Sequence, residues 1–113
     1  MITEKSVTDR ISTLLKSFKP NVTYYRPVPS RYGARTVDYI GCVCGFIFFI
    51  EAKRPSREPT ALQQEYLRTQ QAAGAATFVI DSNTDEALQP LQEWLEWCIE
   101  KHPGKAEWWP RAI

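Results

Sequence analysis

The stretch Thr36-Val-Asp-Tyr-Ile-Gly-Cys-Val-Cys-Gly-Phe-Ile-Phe-Phe-Ile-Glu-Ala-Lys53 decides how this 113-residue chain folds. Its two halves are rich in β-branched and aromatic residues, and Cys44-Gly45 between them pairs a small residue with glycine. That pattern predicts two β-strands joined by a tight hairpin turn. Side chains alternate along a strand, so Glu51 and Lys53 share one face and Ala52 takes the other. The hairpin brings Asp38, at the start of the first arm, back beside Glu51 and Lys53 at the end of the second. Phe46 to Ile50 is apolar throughout, as in a strand buried on both faces. A carboxylate ending such a strand is partly desolvated, which costs free energy unless something compensates. Two carboxylates and an ammonium at one strand end can hold a hard divalent cation and set a positive charge beside a phosphate. The plainer alternative is a solvated rim or a surface ion pair, the usual state of these residue types.

On the N-terminal side, Ile2 to Phe18 carries apolar residues at Val7, Ile11, Leu14, Leu15 and Phe18, which is helical spacing. Thr3 is its candidate cap and Pro20 ends it. Val22 to Val28 alternates with aromatic content and reads as a strand, interrupted by Pro27 and Pro29. Residues 30–36 form a loop into the hairpin, and a second loop spans Pro55 to Pro59. Thr60 caps a helix reaching about Ala73, with Gly74 as its stop signal. Ala76 to Ile80 is a short buried strand, and Asp81 to Thr84 a turn. A last helix runs from about Asp85 to Lys101, with Pro90 inside it. The expected order is αβββαβ plus a C-terminal helix around a mixed central sheet, an α/β fold with helices on both faces. Residues 1–113 form a single domain, its core about 3–101 and its tail 102–113.

Net charge is +1, but it is unevenly spread. Residues 1–70 hold 11 Lys/Arg against 6 Asp/Glu, and residues 71–113 hold 3 against 7. Arg26, Arg31, Arg35, Lys53, Arg54 and Arg57 fall near the open end of the hairpin or in loops leading to it. Such a distribution draws a polyanion to that end. Tyr24, Tyr25 and Tyr32 lie close enough to touch nucleic acid, with sheet packing the default for the first two. Trp94 and Trp97 read as core or interface. Trp108 and Trp109, costly to expose, pack on the domain or on a second subunit. Cys42, Cys44 and Cys98 are too few for a zinc site and odd in number, so core packing is expected for all three. No membrane span or signal peptide is read, which places the chain inside a cell.

The segment YGARTVDYIGCVCGFIFFIEAKRPSREPTALQQEYL, from Tyr32 to Leu67, resembles the small phage and bacterial VRR-NUC proteins of the PD-(D/E)xK nuclease superfamily. The shared elements are a glycine-containing approach to Asp38, a short hairpin, Glu51-Ala-Lys53 followed by Pro55, and Thr60-Ala-Leu-Gln63 opening a helix. The likeness covers about residues 4–82. Val37 stands where the family usually has proline, a residue that shapes the turn and carries no chemistry.

The resemblance implies a restriction-endonuclease-like core and a metal-dependent DNA endonuclease. Asp38, Glu51 and the Ala52 backbone carbonyl would bind Mg²⁺ or Mn²⁺. Lys53 would orient the attacking water and stabilise the phosphorane. Gln63 would reach Lys53, the water or a phosphate. Glu4 matches an acid that relatives carry near the N-terminus and is a candidate further ligand, with Asp9 its weaker rival. Arg26, Arg31, Tyr32, Arg35, Arg54 and Arg57 would contact DNA. The implied substrate is a Holliday junction, cut by a homodimer because each chain carries one site. Flaps, nicks or single strands are alternative substrates, and a catalytically silent DNA-binding module is the alternative class. A phage-encoded member would work in the cytoplasm of its bacterial host.

Overall fold

Val43 and Phe46 pair across a two-residue turn in which Cys44 (φ 49°) and Gly45 (φ 89°) both adopt positive φ. Positive φ at both positions is the requirement of a type I′ hairpin, whose twist matches the flanking strands. Glycine meets it freely, whereas Cys44 does so at a steric cost. The computed structural model describes residues 1–28 and 37–102. They comprise α1 (Glu4–Ser17), β1 (Val22–Tyr25), β2 (Tyr39–Val43), β3 (Phe46–Ala52), α2 (Ala61–Ala72), β4 (Ala76–Ile80) and α3 (Asp85–Lys101). The strands form one sheet in the order β1-β2-β3-β4. The first three are antiparallel neighbours, and β4 runs parallel to β3 after the α2 crossover. The expected element order and mixed sheet are therefore present.

Each helix starts where its side-chain chemistry dictates. Thr3 caps α1 and Thr60 caps α2, each in a reciprocal box with the residue three positions on. Thr84 caps α3 by accepting from the Ala87 amide. Because side chains alternate, the sheet has two unlike faces. Tyr39, Val43, Phe48, Ile50 and Ala52 pack with Val7, Ile11, Leu14 and Leu15 of α1 and with Leu88, Leu91, Leu95 and Cys98 of α3. On the opposite face Phe49 and Val37 meet Leu67, the one buried residue of α2. Trp94 contributes from α3 by packing edge-on against Phe46 and Phe48.

Three expectations need correction. β3 is buried on both faces only from Phe48 onward, and Ile47 is 46% exposed because α2 does not extend over that end of the hairpin. Of the cysteines only Cys98 is buried: Cys42 lies exposed on the same uncovered face, and Cys44 is half-buried in the turn. β4 is an edge strand rather than a buried one, with Val79 47% exposed. Arg31, Tyr32, Arg35, Trp108 and Trp109 lie outside the described residues.

Gly41 in β2 is demanded by packing. A Cβ there would collide with the Phe48 ring and lie 2.7 Å from the Thr23 carbonyl oxygen. Gly41→Ala should therefore destabilise the fold by about 1–3 kcal/mol, the typical cost of overpacking. Denaturant unfolding measures this, and an unchanged midpoint would mean that the sheet yields at this position.

Candidate active site

β2 and β3 remain tied beyond their last pair, Tyr39 with Ile50. The Asp38 N–H donates to the Ile50 carbonyl at 3.1 Å, and the Ala52 N–H donates to Asp38 Oδ2 at 2.7 Å. These bonds draw the Asp38 carboxylate against the end of β3, beside Glu51. Alternation along β3 puts Glu51 on the α2 face with Phe49, while Ile50 and Ala52 enter the larger core. Glu51 is only 3% exposed, and its Oε2 is buried without a hydrogen-bond partner. Burial first, then a hydrogen bond to Asp38 and its negative charge, push the Glu51 carboxyl up from 4.5 to about 9. Lys53 pulls the other way, and Glu4 adds a further repulsion.

The remaining positions sort by what they touch. A residue in extended backbone turns its N–H and C=O to the same edge. The Ala52 N–H points to Asp38, so its carbonyl lies on that side too. Lys53 is half-buried and forms no salt bridge among the described residues. Its backbone N–H donates to the Ile80 carbonyl at 2.9 Å, which carries the parallel ladder one residue past β3. Lys53 lines a cleft of about 510 Å³ together with Thr3, Glu4, Arg54, Arg57, Glu58 and Thr60 among others. Arg54 and Arg57 thus lie beside Lys53, where the charge distribution put them. Glu4 stands at the rim, exposed and within electrostatic range of Glu51. Asp9 is engaged with Lys5 at 2.8 Å. Gln63 serves the helix start, where its Oε1 accepts the Thr60 N–H at 2.9 Å and leaves the amide nitrogen for other contacts.

Tyr39, next to Asp38, is a part of the site that sequence reasoning missed. Its hydroxyl donates to the Thr8 carbonyl at 2.7 Å and accepts from Ser12 Oγ at 2.7 Å, which locks β2 to α1. Arg26 lies over its ring, with Cζ 4.8 Å from the centroid. The only signal in the sequence was a single tyrosine abutting the acidic residue in an arm otherwise of small and aliphatic side chains.

Asp38 and Glu51 present hard oxygen donors, and one buried oxygen lacks a partner. This set suits a small divalent cation that keeps several waters and takes one or two carboxylates. Among the described residues no three His, Cys, Asp or Glu side chains gather as a ligand cluster, so Glu4 does not complete a third carboxylate. Compared with family models and with curated proteins, the chain matches none. No helix among the described residues is long and apolar enough to cross a membrane.

Proposed function

We propose that the chain is a metal-dependent nuclease that hydrolyses phosphodiester bonds in DNA. The observation that carries this reading is the buried Glu51 carboxylate, pressed against Asp38 with one oxygen unpartnered. Such an arrangement is unfavourable for an empty structural corner: ionising Glu51 there costs free energy through burial and the neighbouring Asp38, so the carboxyl holds its proton, and its buried oxygen stays unpartnered. It becomes favourable once a divalent cation is shared by the two carboxylates. The αβββαβ order and mixed sheet support a restriction-endonuclease-like arrangement around this corner.

Asp38 and Glu51 would hold Mg²⁺ or Mn²⁺, with the Ala52 carbonyl as a third protein oxygen. The ion would supply Lewis acidity and lower the pKa of a coordinated water. Lys53 would orient the attacking water and offset charge developing on the phosphoryl oxygens. Arg54 and Arg57 would grip neighbouring phosphates along the cleft. The described residues hold one such corner, so paired cuts in a four-way junction call for two copies related by symmetry. That makes a junction-cleaving homodimer the preferred form of this reading, with flaps, nicks and single strands as the competing substrates.

The test is cleavage of branched, flapped, nicked and linear DNA in the presence of Mg²⁺, with Asp38→Asn alongside. Expected are products that require metal and vanish in the variant while its DNA binding persists. Equal turnover by Asp38→Asn would remove the metal assignment, and binding without cleavage on every substrate would leave a DNA-binding module.

A further inference from the structure

We propose that Arg26 is a preset phosphate-binding residue of this site, held ready by stacking on Tyr39. The proposal rests on the nuclease reading above and gives Arg26, expected from the sequence to contact DNA, a defined seat on Tyr39 at the end of β1. Tyr25 and Ile40 form the last pair between β1 and β2. The next residues along the two strands are Arg26 and Tyr39, and Asp38 follows directly. Arg26 therefore sits at the sheet end that carries the two carboxylates. In the strand order β1-β2-β3 it flanks them on the β1 side, opposite Lys53 at the end of β3.

The seat is rigid. Tyr39 is fully buried, and its hydroxyl is held by Thr8 and Ser12 of α1. A guanidinium resting 4.8 Å from that ring centroid is restrained on one flat side without losing its donors. Arg26 is exposed and forms no salt bridge among the described residues, although Asp38 is close in sequence to its seat. Its fork of N–H donors is thus open to an incoming oxyanion. Because the side chain is already positioned, less rotamer freedom is lost when a phosphate arrives. Lysine would keep the charge there but not the stacked, planar fork.

The experiment compares Arg26→Lys, Arg26→Ala, Tyr39→Phe and Tyr39→Leu with the unsubstituted chain. Three readouts are taken: Mg²⁺-dependent cleavage of a four-way junction, salt dependence of junction binding in EDTA, and melting temperature. Arg26→Lys should lose about tenfold in cleavage with its melting temperature nearly unchanged. Arg26→Ala should also reduce the slope of log affinity against log salt by about one phosphate contact. Tyr39→Phe keeps the ring but loses the hydroxyl bonds, so it should lower the melting temperature while its cleavage falls less than that of Tyr39→Leu. Tyr39→Leu should lose cleavage as Arg26→Lys does. If Tyr39→Leu fails to fold, the two Arg26 variants, at an exposed position, still decide the matter. Cleavage within about twofold of the unsubstituted chain for both Arg26 variants, with the salt slope of Arg26→Ala unchanged, overturns the proposal. Asp38→Asn is run in parallel: its loss of cleavage beside intact Arg26 variants sinks this inference alone, whereas retained cleavage sinks the metal site beneath it.

Discussion

Above about pH 9, Glu51→Gln should melt at a higher temperature than the unsubstituted protein and yet cleave no DNA. The fold raises this carboxyl from 4.5 to about 9, so the folded chain keeps a proton that the unfolded chain gives up. The associated stability is fully present below about pH 4.5 and is lost as pH rises towards 9. Glutamine does not titrate, and its amide can donate to Asp38. The two melting curves should therefore separate through the neutral range, and the gap should level off above about pH 9. For a domain of this size each kcal/mol is worth about 4–8 °C, so a gap of at least about 5 °C is expected. A divalent cation should raise the melting temperature of the unsubstituted chain and leave that of Glu51→Gln nearly unmoved. Its apparent affinity should climb with pH, because binding displaces the Glu51 proton. Melting curves that coincide at every pH would show that burial and Asp38 do not raise the Glu51 carboxyl, and retained cleavage would remove Glu51 from the site.

Lys53→Ala should lose cleavage by about 10²- to 10⁴-fold, the usual range for a group that assists proton transfer. Its fold should persist, since the ammonium forms no salt bridge among the described residues and its removal leaves no carboxylate newly unpaired. Mg²⁺ binding measured by calorimetry at alkaline pH should change little. Near neutrality it should weaken somewhat, because Lys53 is one of the charges that favour ionised Glu51. Complete loss of Mg²⁺ binding would make Lys53 a structural prop instead of a reacting group.

The hairpin was legible because its signals are local. A small residue followed by glycine marks the turn, and apolar runs on both sides mark the arms. Thr60 with Gln63 was likewise legible as a helix start, although the same capping bond employs the oxygen of an amide that had looked wholly open to chemistry. What escaped depends on contacts between distant parts of the chain. Tyr39 gains its importance from partners 27 and 31 residues away, which no window around it contains. Cys42 and Ile47 were expected inside because their sequence is apolar, but coverage of a sheet face depends on how far the opposing helix reaches. The burial of Glu51 was anticipated from the strand it ends. Its unpartnered oxygen was not, since that requires knowing where every nearby donor points.

The unequal layering of the sheet has a mechanical consequence. One face packs on two helices through a broad apolar contact, whereas α2 holds the other through buried Leu67 and half-buried Tyr66. Elements with few buried contacts open at lower free energy than the body of a domain. Glu51 projects toward the lightly held side, but its strand β3 is anchored in the heavily held one, and two hydrogen bonds tie Asp38 to that strand. The molecule thus resembles a vice with a fixed jaw and a loose one. The two carboxylates ride on the fixed jaw, so an opening of α2 leaves their spacing undisturbed.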